Sequence, residues 1–191
     1  SYLYYLSHSE RGSEIVRRKG DGSEERWEVP YPSDYDVSPN GRLAFVYAIG
    51  DGLELYTRYL YFGDWGVELW KSPLIERVIA LRWMDDRWLW VTAVENGGTA
   101  LWLVDTETGK KQRMISGSPH FYLNSLCLLT DSTDRPRAIA CSISYDGQAR
   151  LYRMPLTMDE QTGVYGLGAW EVVGSPKGNS LDPAYADGAL Y

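Results

Sequence analysis

Residues 30–47 read Pro30-Tyr-Pro-Ser-Asp-Tyr-Asp-Val37, then Ser38-Pro-Asn-Gly41, then Arg42-Leu-Ala-Phe-Val-Tyr47. A proline-marked turn leads into a short apolar segment, Tyr35-Asp-Val37, which an Asn-Gly pair ends. Asn-Gly supplies the positive φ angles of a tight hairpin. The run after it is apolar and aromatic, which suits a pleated, half-buried surface. The stretch therefore predicts two antiparallel strands joined by a turn.

The same grammar recurs downstream. Proline follows Tyr31, Ser72, Ser118 and Ser175 at Pro32, Pro73, Pro119 and Pro176, at spacings of 41, 46 and 57 residues. These lie around the 40–50 residues of a propeller blade. A strand-like segment precedes each proline: Arg26–Val29, Val67–Trp70, Gln112–Ile115 and Ala169–Val173. After it come a first apolar segment (Tyr35–Val37, Val78–Trp83, Leu123–Leu129, Leu181–Tyr185) and a polar turn. A second run follows (Arg42–Tyr47, Trp88–Thr92, Ala138–Ile143), then a glycine turn and a third run (Leu53–Tyr56, Ala100–Val104, Ala149–Arg153). Strand, turn, strand, turn, strand, turn, strand is an antiparallel meander of four.

The fold class predicted is all-β, a β-propeller of four-stranded antiparallel blades, about four in this chain. The modules run approximately 1–30, 31–72, 73–118, 119–175 and a partial 176–191. The first opens on its second strand, Tyr2–Leu6, followed by Glu14–Arg17 and Glu25–Val29. Two arrangements stay open: a closed four-bladed ring, or a segment of a larger propeller. Pro155–Gly168 lacks strand grammar and reads as a long loop, as does the shorter Pro176–Ser180.

The side-chain inventory fits strands: 15 Tyr and 8 Trp accompany only 3 Phe. Such rings pack on a sheet while their polar tips reach water. No stretch is long and apolar enough for a membrane span. A formal charge of −7 disfavours a nucleic-acid backbone or anionic membrane as main partner. The one basic cluster, Arg17-Arg18-Lys19, is followed at once by Asp21, Glu24 and Glu25.

Ser38-Pro-Asn-Gly-Arg-Leu-Ala-Phe-Val46 resembles the signature of TolB-like, or WD40-like, β-propeller repeats. Leu101-Trp-Leu-Val-Asp-Thr-Glu-Thr-Gly109 is similar to their third strand and turn, and Ile15–Gly22 to another of their segments. The third module departs most, with a longer turn from Thr130 to Arg137. The resemblance implies a binding or scaffold propeller. It equally admits the accessory propeller of a prolyl-oligopeptidase-like hydrolase, or a small-ligand or glycan site in the central channel. With the absent initiator methionine, it implies an extracytoplasmic place in periplasm or envelope.

Catalytic chemistry is not predicted. No Gly-x-Ser-x-Gly elbow is present, and the two histidines, His8 and His120, have no recognisable nucleophile beside them. Two His and two Cys lack the paired spacing of a zinc site, so no metal or cofactor is expected. Asp34, Asp36, Asp85, Asp86, Asp131 and Asp134 read as turn caps rather than calcium ligands. Trp83, Trp88, Trp90 and Trp102 read as core.

Cys127 and Cys141 lie on consecutive predicted strands, symmetric about position 134. A symmetric hairpin would set them opposite, near disulfide reach; a one-residue register shift would send them to opposite faces. A disulfide and two free thiols are both open. Loops from a fourth strand to the next first strand gather on one face of a propeller. Here they hold Tyr31, Ser33, Asp34, Lys71, Ser72, His120, Phe121, Tyr122, Lys177 and Asn179, a mix of rings and hydrogen-bonding groups suited to a protein partner.

Overall fold

A computed structural model describes residues 2–10, 12–50, 56–67, 74–174, 183–186 and 189–190. Every regular element among them is a strand. Five antiparallel sheets follow one another along the chain, none of them closed into a barrel. The first contains β1 (Tyr2–Ser9), β2 (Gly12–Lys19) and β3 (Glu24–Glu28). The second has β4 (Asp34–Val37), β5 (Leu43–Gly50) and β6 (Tyr56–Gly63). The third is a plain four-stranded meander: β7 (Val78–Trp83), β8 (Trp88–Glu95), β9 (Gly98–Asp105) and β10 (Lys111–Ile115). The fourth joins β11 (Phe121–Thr130), β12 (Pro136–Tyr145), β13 (Gln148–Met158), β14 (Tyr165–Leu167) and β15 (Glu171–Val173). A two-stranded ladder, β16 (Tyr185–Ala186) with β17 (Ala189–Leu190), completes the set.

Alternation along β5 explains how the sheets associate. Leu43, Phe45 and Tyr47 pack towards the first sheet with Ile15 and Trp27. Ala44 and Val46 pack the other way, with Val78, Leu81 and Trp83 of the third. Successive residues of a strand point to opposite faces, so a continuous apolar run means burial on both sides. β12 repeats the pattern: Ile139, Cys141 and Ile143 meet Trp90, Leu101 and Leu103, while Ala138 and Ala140 join Tyr185 and Leu190. The sheets thus stack in chain order, with an apolar cluster between each consecutive pair.

First strands also neighbour one another: β4 touches β7, β7 touches β11, and β11 touches β16. Carboxylates staple the boundary between the second and third sheets. Asp34 Oδ2 accepts the Leu81 N–H at 2.9 Å, and Asp36 Oδ2 accepts the Trp83 N–H at 2.7 Å. Burial raises the Asp36 carboxyl above its ordinary range despite these backbone donors. Asp86 accepts from Ser38 Oγ, Asn40 N and Asn40 Nδ2 at 2.6, 2.8 and 2.7 Å. Three of the carboxylates expected to cap turns therefore join sheets, Asp36 while also taking the adjacent Val37 N–H. Asp86→Ala should cost about 2 kcal/mol, the scale of charge-assisted bonds. Calorimetry should show the thermal midpoint falling by about 6 °C.

Asp85 and Asp131 do cap their own turns, Asp85 taking the N–H groups of Arg87 and Trp88 and Asp131 those of Thr133 and Arg135. Asp105 combines both uses. Its carboxylate takes Arg87 Nε and Nη2 at 3.1 and 2.7 Å, and the N–H groups of Glu107 and Thr108. The Arg87 guanidinium foremost holds it well below the ordinary carboxylate range, although burial opposes this. A depressed folded-state pKa stabilises the fold above the unfolded pKa of about 3.9, and that stability drains as pH falls further. Asp105→Asn should therefore be less stable than the parent at pH 7. Urea midpoints should show that gap shrinking below about pH 4.

The third strand of the second sheet is β6, with Gly50 opposite Tyr56; of the expected third run, Leu53–Tyr56, all but Tyr56 lies outside the described residues. One expectation is corrected. Pro155–Gly168 is not a loop: β13 continues through Pro155 to Met158, and the chain returns as β14. Asp159 makes that hairpin by accepting from Gln161 N and Thr162 N, with Gly163 N bonded to its carbonyl. Asp105-Thr-Glu-Thr-Gly109 forms the same turn with the same donors.

Candidate functional site

Two neighbouring features carry polar groups that the stacked sheets leave uncovered. One is the rim where the chain passes from one sheet to the next. Tyr31, Arg77 and His120 stand just before β4, β7 and β11 and have φ of 44, 52 and 67°. L-residues rarely adopt this region, and each such residue costs on the order of 1–3 kcal/mol. The geometry is fixed by the loops' backbone bonds: Ala48 N donates to Pro30 O, Val94 N to Arg77 O and Asp146 N to His120 O. All three side chains are exposed. Such strain recurs at the residue just before β7 and β11, and within the loop before β4, and strained loops of this kind are met at functional sites.

Of the rim residues read from sequence, Tyr31, Ser33, His120 and Tyr122 are exposed. The His120 ring lies 3.7 Å from Asp146. Phe121 is corrected: it is 9% exposed and packs with Leu123, Trp90 and Ile143. β11 starts at Phe121, so alternation puts it inward with Leu123 and leaves Tyr122 outward. Lys71, Ser72, Lys177 and Asn179 lie outside the described residues. Arg77 belongs to the rim and was missed, because the expected list stopped at Ser72. A backbone signal of this kind has no counterpart in residue type.

The second feature is a cleft of about 260 Å³ between the first strands, lined by residues of β4, β7, β8 and β11. Asp34 joins it to the rim. Its carboxylate holds Arg82 Nη1 at 3.0 and 3.2 Å. Arg82 and Trp90 are opposite partners across β7 and β8, so their side chains share the face turned to β11. Trp90 is 1% exposed, and its Nε1 finds no hydrogen-bond partner among the described residues. Thr92 Oγ1 donates to Ala80 O, and Asn124 Nδ2 to Ser144 Oγ. Both flanking strands shift register here, β7 between Val78 and Ala80 and β11 between Leu123 and Ser125. Such bulges re-aim side chains and gather beside binding sites. The tryptophan was read as core, which holds for its ring and overlooks its nitrogen.

Both cysteines carry free thiols. A register shift between Leu129 and Thr130 sets Cys127 opposite Ala140 and Cys141 opposite Leu126. The two side chains consequently fall on opposite faces, in different apolar clusters. Burial pushes both thiols up from their ordinary range, which makes them inert core groups. Among the described residues, no three or more His, Cys, Asp or Glu side chains gather as a metal site would require. No helix there is long and apolar enough to cross a membrane. No protein-family model matches the chain, and no curated protein does.

Proposed function

We propose that the sheets are blades of a β-propeller and that the chain is a non-catalytic module. On this reading it binds a protein through the rim carrying Tyr31, Arg77, His120 and Tyr122, as a scaffold within a larger extracytoplasmic assembly. Radial arrangement is supported by the adjacency of successive first strands and by apolar clusters on both faces of the central sheets. The TolB-like motif at Ser38–Val46 points the same way. The observation that carries the binding reading is the repeated left-handed backbone at Tyr31, Arg77 and His120. Three strained loops present exposed side chains on one end of the stack, and rigidly mounted loops are where recognition residues sit.

A photo-crosslinking amino acid at position 31 or 122 tests this in extracts of the native source. Both positions should capture one and the same protein. Position 132, in the turn between β11 and β12 at the other end of the strands, should capture none. Equal capture from position 132 would remove the rim from consideration.

A further inference from the structure

We propose that Asn96 is a site of spontaneous modification, where the chain cyclises onto Gly97 and reopens as isoaspartate, releasing the loop that leads into β11. Two Asn-Gly pairs occur in the sequence, Asn40-Gly41 and Asn96-Gly97, and both asparagines are exposed. Their surroundings differ. Asp86 accepts the Asn40 N–H at 2.8 Å and its Nδ2 at 2.7 Å, and the Gly41 N–H donates to the Ser38 carbonyl at 2.9 Å. Asn96 and Gly97 form the two-residue turn between β8 and β9, with Glu95 opposite Gly98. Their φ angles of 49 and 78° mark a type I′ hairpin. Among the described residues, neither the Asn96 side chain nor the Gly97 N–H has a hydrogen-bond partner.

The reaction consumes only water. The Gly97 nitrogen gives up its proton and bonds to the Asn96 side-chain carbonyl carbon, while the bond to the amide nitrogen breaks and ammonia leaves. Water then opens the cyclic imide at one of its two carbonyls. One opening gives aspartate on the original main chain. The other routes the main chain through the side-chain carbons and lengthens it by a methylene. Closure requires the peptide between Asn96 and Gly97 to rotate, which glycine permits; the nearest atom to a Cβ at Gly97 would be Pro119 Cγ, at 3.8 Å. Plain aspartate fits such a turn, since Asp146-Gly147 makes the equivalent hairpin between β12 and β13 with φ of 47 and 82°. A lengthened main chain does not. Gly98 lies against the Ser118 and Phe121 carbonyls, and Gly117 against that of Glu95, too closely for a Cβ to fit. A longer turn must push the loop 117–120 aside, and with it the exposed His120. The inference stands on this hairpin, and the rim's partner is not needed to test it.

The test warms the folded chain at mildly alkaline pH and follows it by peptide mapping with mass spectrometry, isoaspartate being scored by enzymatic carboxyl methylation. The Asn96 peptide should convert about tenfold faster than the Asn40 peptide, because breaking one charge-assisted bond to Asp86 slows a reaction by at least that factor. Isoaspartate should be among its products. Amide exchange across residues 117–122 should then quicken about tenfold in the purified isoaspartate form, an opening cost of the size of one lost hydrogen bond. Asn96→Asp, with its main chain unaltered, should exchange there as the parent does. The assignment is overturned if Asn96 converts no faster than Asn40 or yields aspartate alone. It is equally overturned if the isoaspartate form exchanges as the parent does, or if Asn96→Asp exchanges as fast as that form.

Discussion

Phe45→Ala is expected to lower stability by about 4 kcal/mol, the middle of the range for removing a buried ring. Phe45 is fully buried at the centre of β5. Its ring stacks on Tyr61 at 4.8 Å and meets Trp27 of the first sheet edge-on at 5.2 Å and Tyr47 at 5.8 Å. The site collapses poorly, because each of those rings is held by neighbours: Trp27 also meets Tyr61 at 5.3 Å and Trp65 at 5.6 Å. Removing one ring leaves a hole between two sheets that neither can close alone. Guanidinium unfolding should show the loss as a lower midpoint. Phe45→Leu, which retains most of the volume, should cost no more than about 1.5 kcal/mol.

Gly98→Ala should be nearly as damaging, for a different reason. A Cβ at Gly98 would lie 2.0 Å from the Ser118 carbonyl oxygen and 2.4 Å from that of Phe121. Both obstacles are backbone, so no side-chain rotation relieves them. Gly117 faces the mirror problem, with the Glu95 carbonyl at 2.2 Å. The hairpin between β8 and β9 and the loop leading into β11 interlock through these two glycines. Alanine at Gly98 must push the loop away, carrying with it Phe121 and its cluster. A loss of about 3 kcal/mol is expected, read as a fall of about 9 °C in the melting temperature. Gly20, with nothing near its missing Cβ, supplies the contrast: alanine there should change stability by less than about 0.5 kcal/mol.

Much of the fold was legible because it is written in periods. Alternation and turn chemistry located β7 at Val78–Trp83, and β4, β5, β8, β9 and β12 to within a few residues. The run Arg42–Tyr47 was read as a half-buried strand, whereas Leu43 to Ala48 are six consecutive buried residues, covered on both faces. What escaped lies in register and reach. The cysteines sat symmetrically about their turn, yet one bulge beside Thr130 moved them to opposite faces. Arg82 and Trp90 sat symmetrically about theirs, and there the symmetry held. Sequence does not distinguish the two cases, because a bulge is a matter of backbone geometry. Pro155–Gly168 lacked strand grammar and was read as a loop, but β13 runs through Pro155 to the Asp159 turn. A matching Asp-x-x-Thr-Gly at Asp105–Gly109 was the signal that could have revealed that hairpin. Asp34, Asp36 and Asp86 were assigned to their own turns, whereas they bond across a sheet boundary, over separations of 46 to 48 residues. No local pattern encodes such a partner.

Nuclear Overhauser contacts from two adjacent residues of β5 test the stacking most directly. The Phe45 ring should show contacts to the Trp27 indole of the first sheet. The Val46 methyl groups should show contacts to Val78 or Leu81 of the third. If both residues reported to a single sheet, or if either faced solvent, the stack of doubly covered sheets would be contradicted, and the rim and cleft built on it would lose their support.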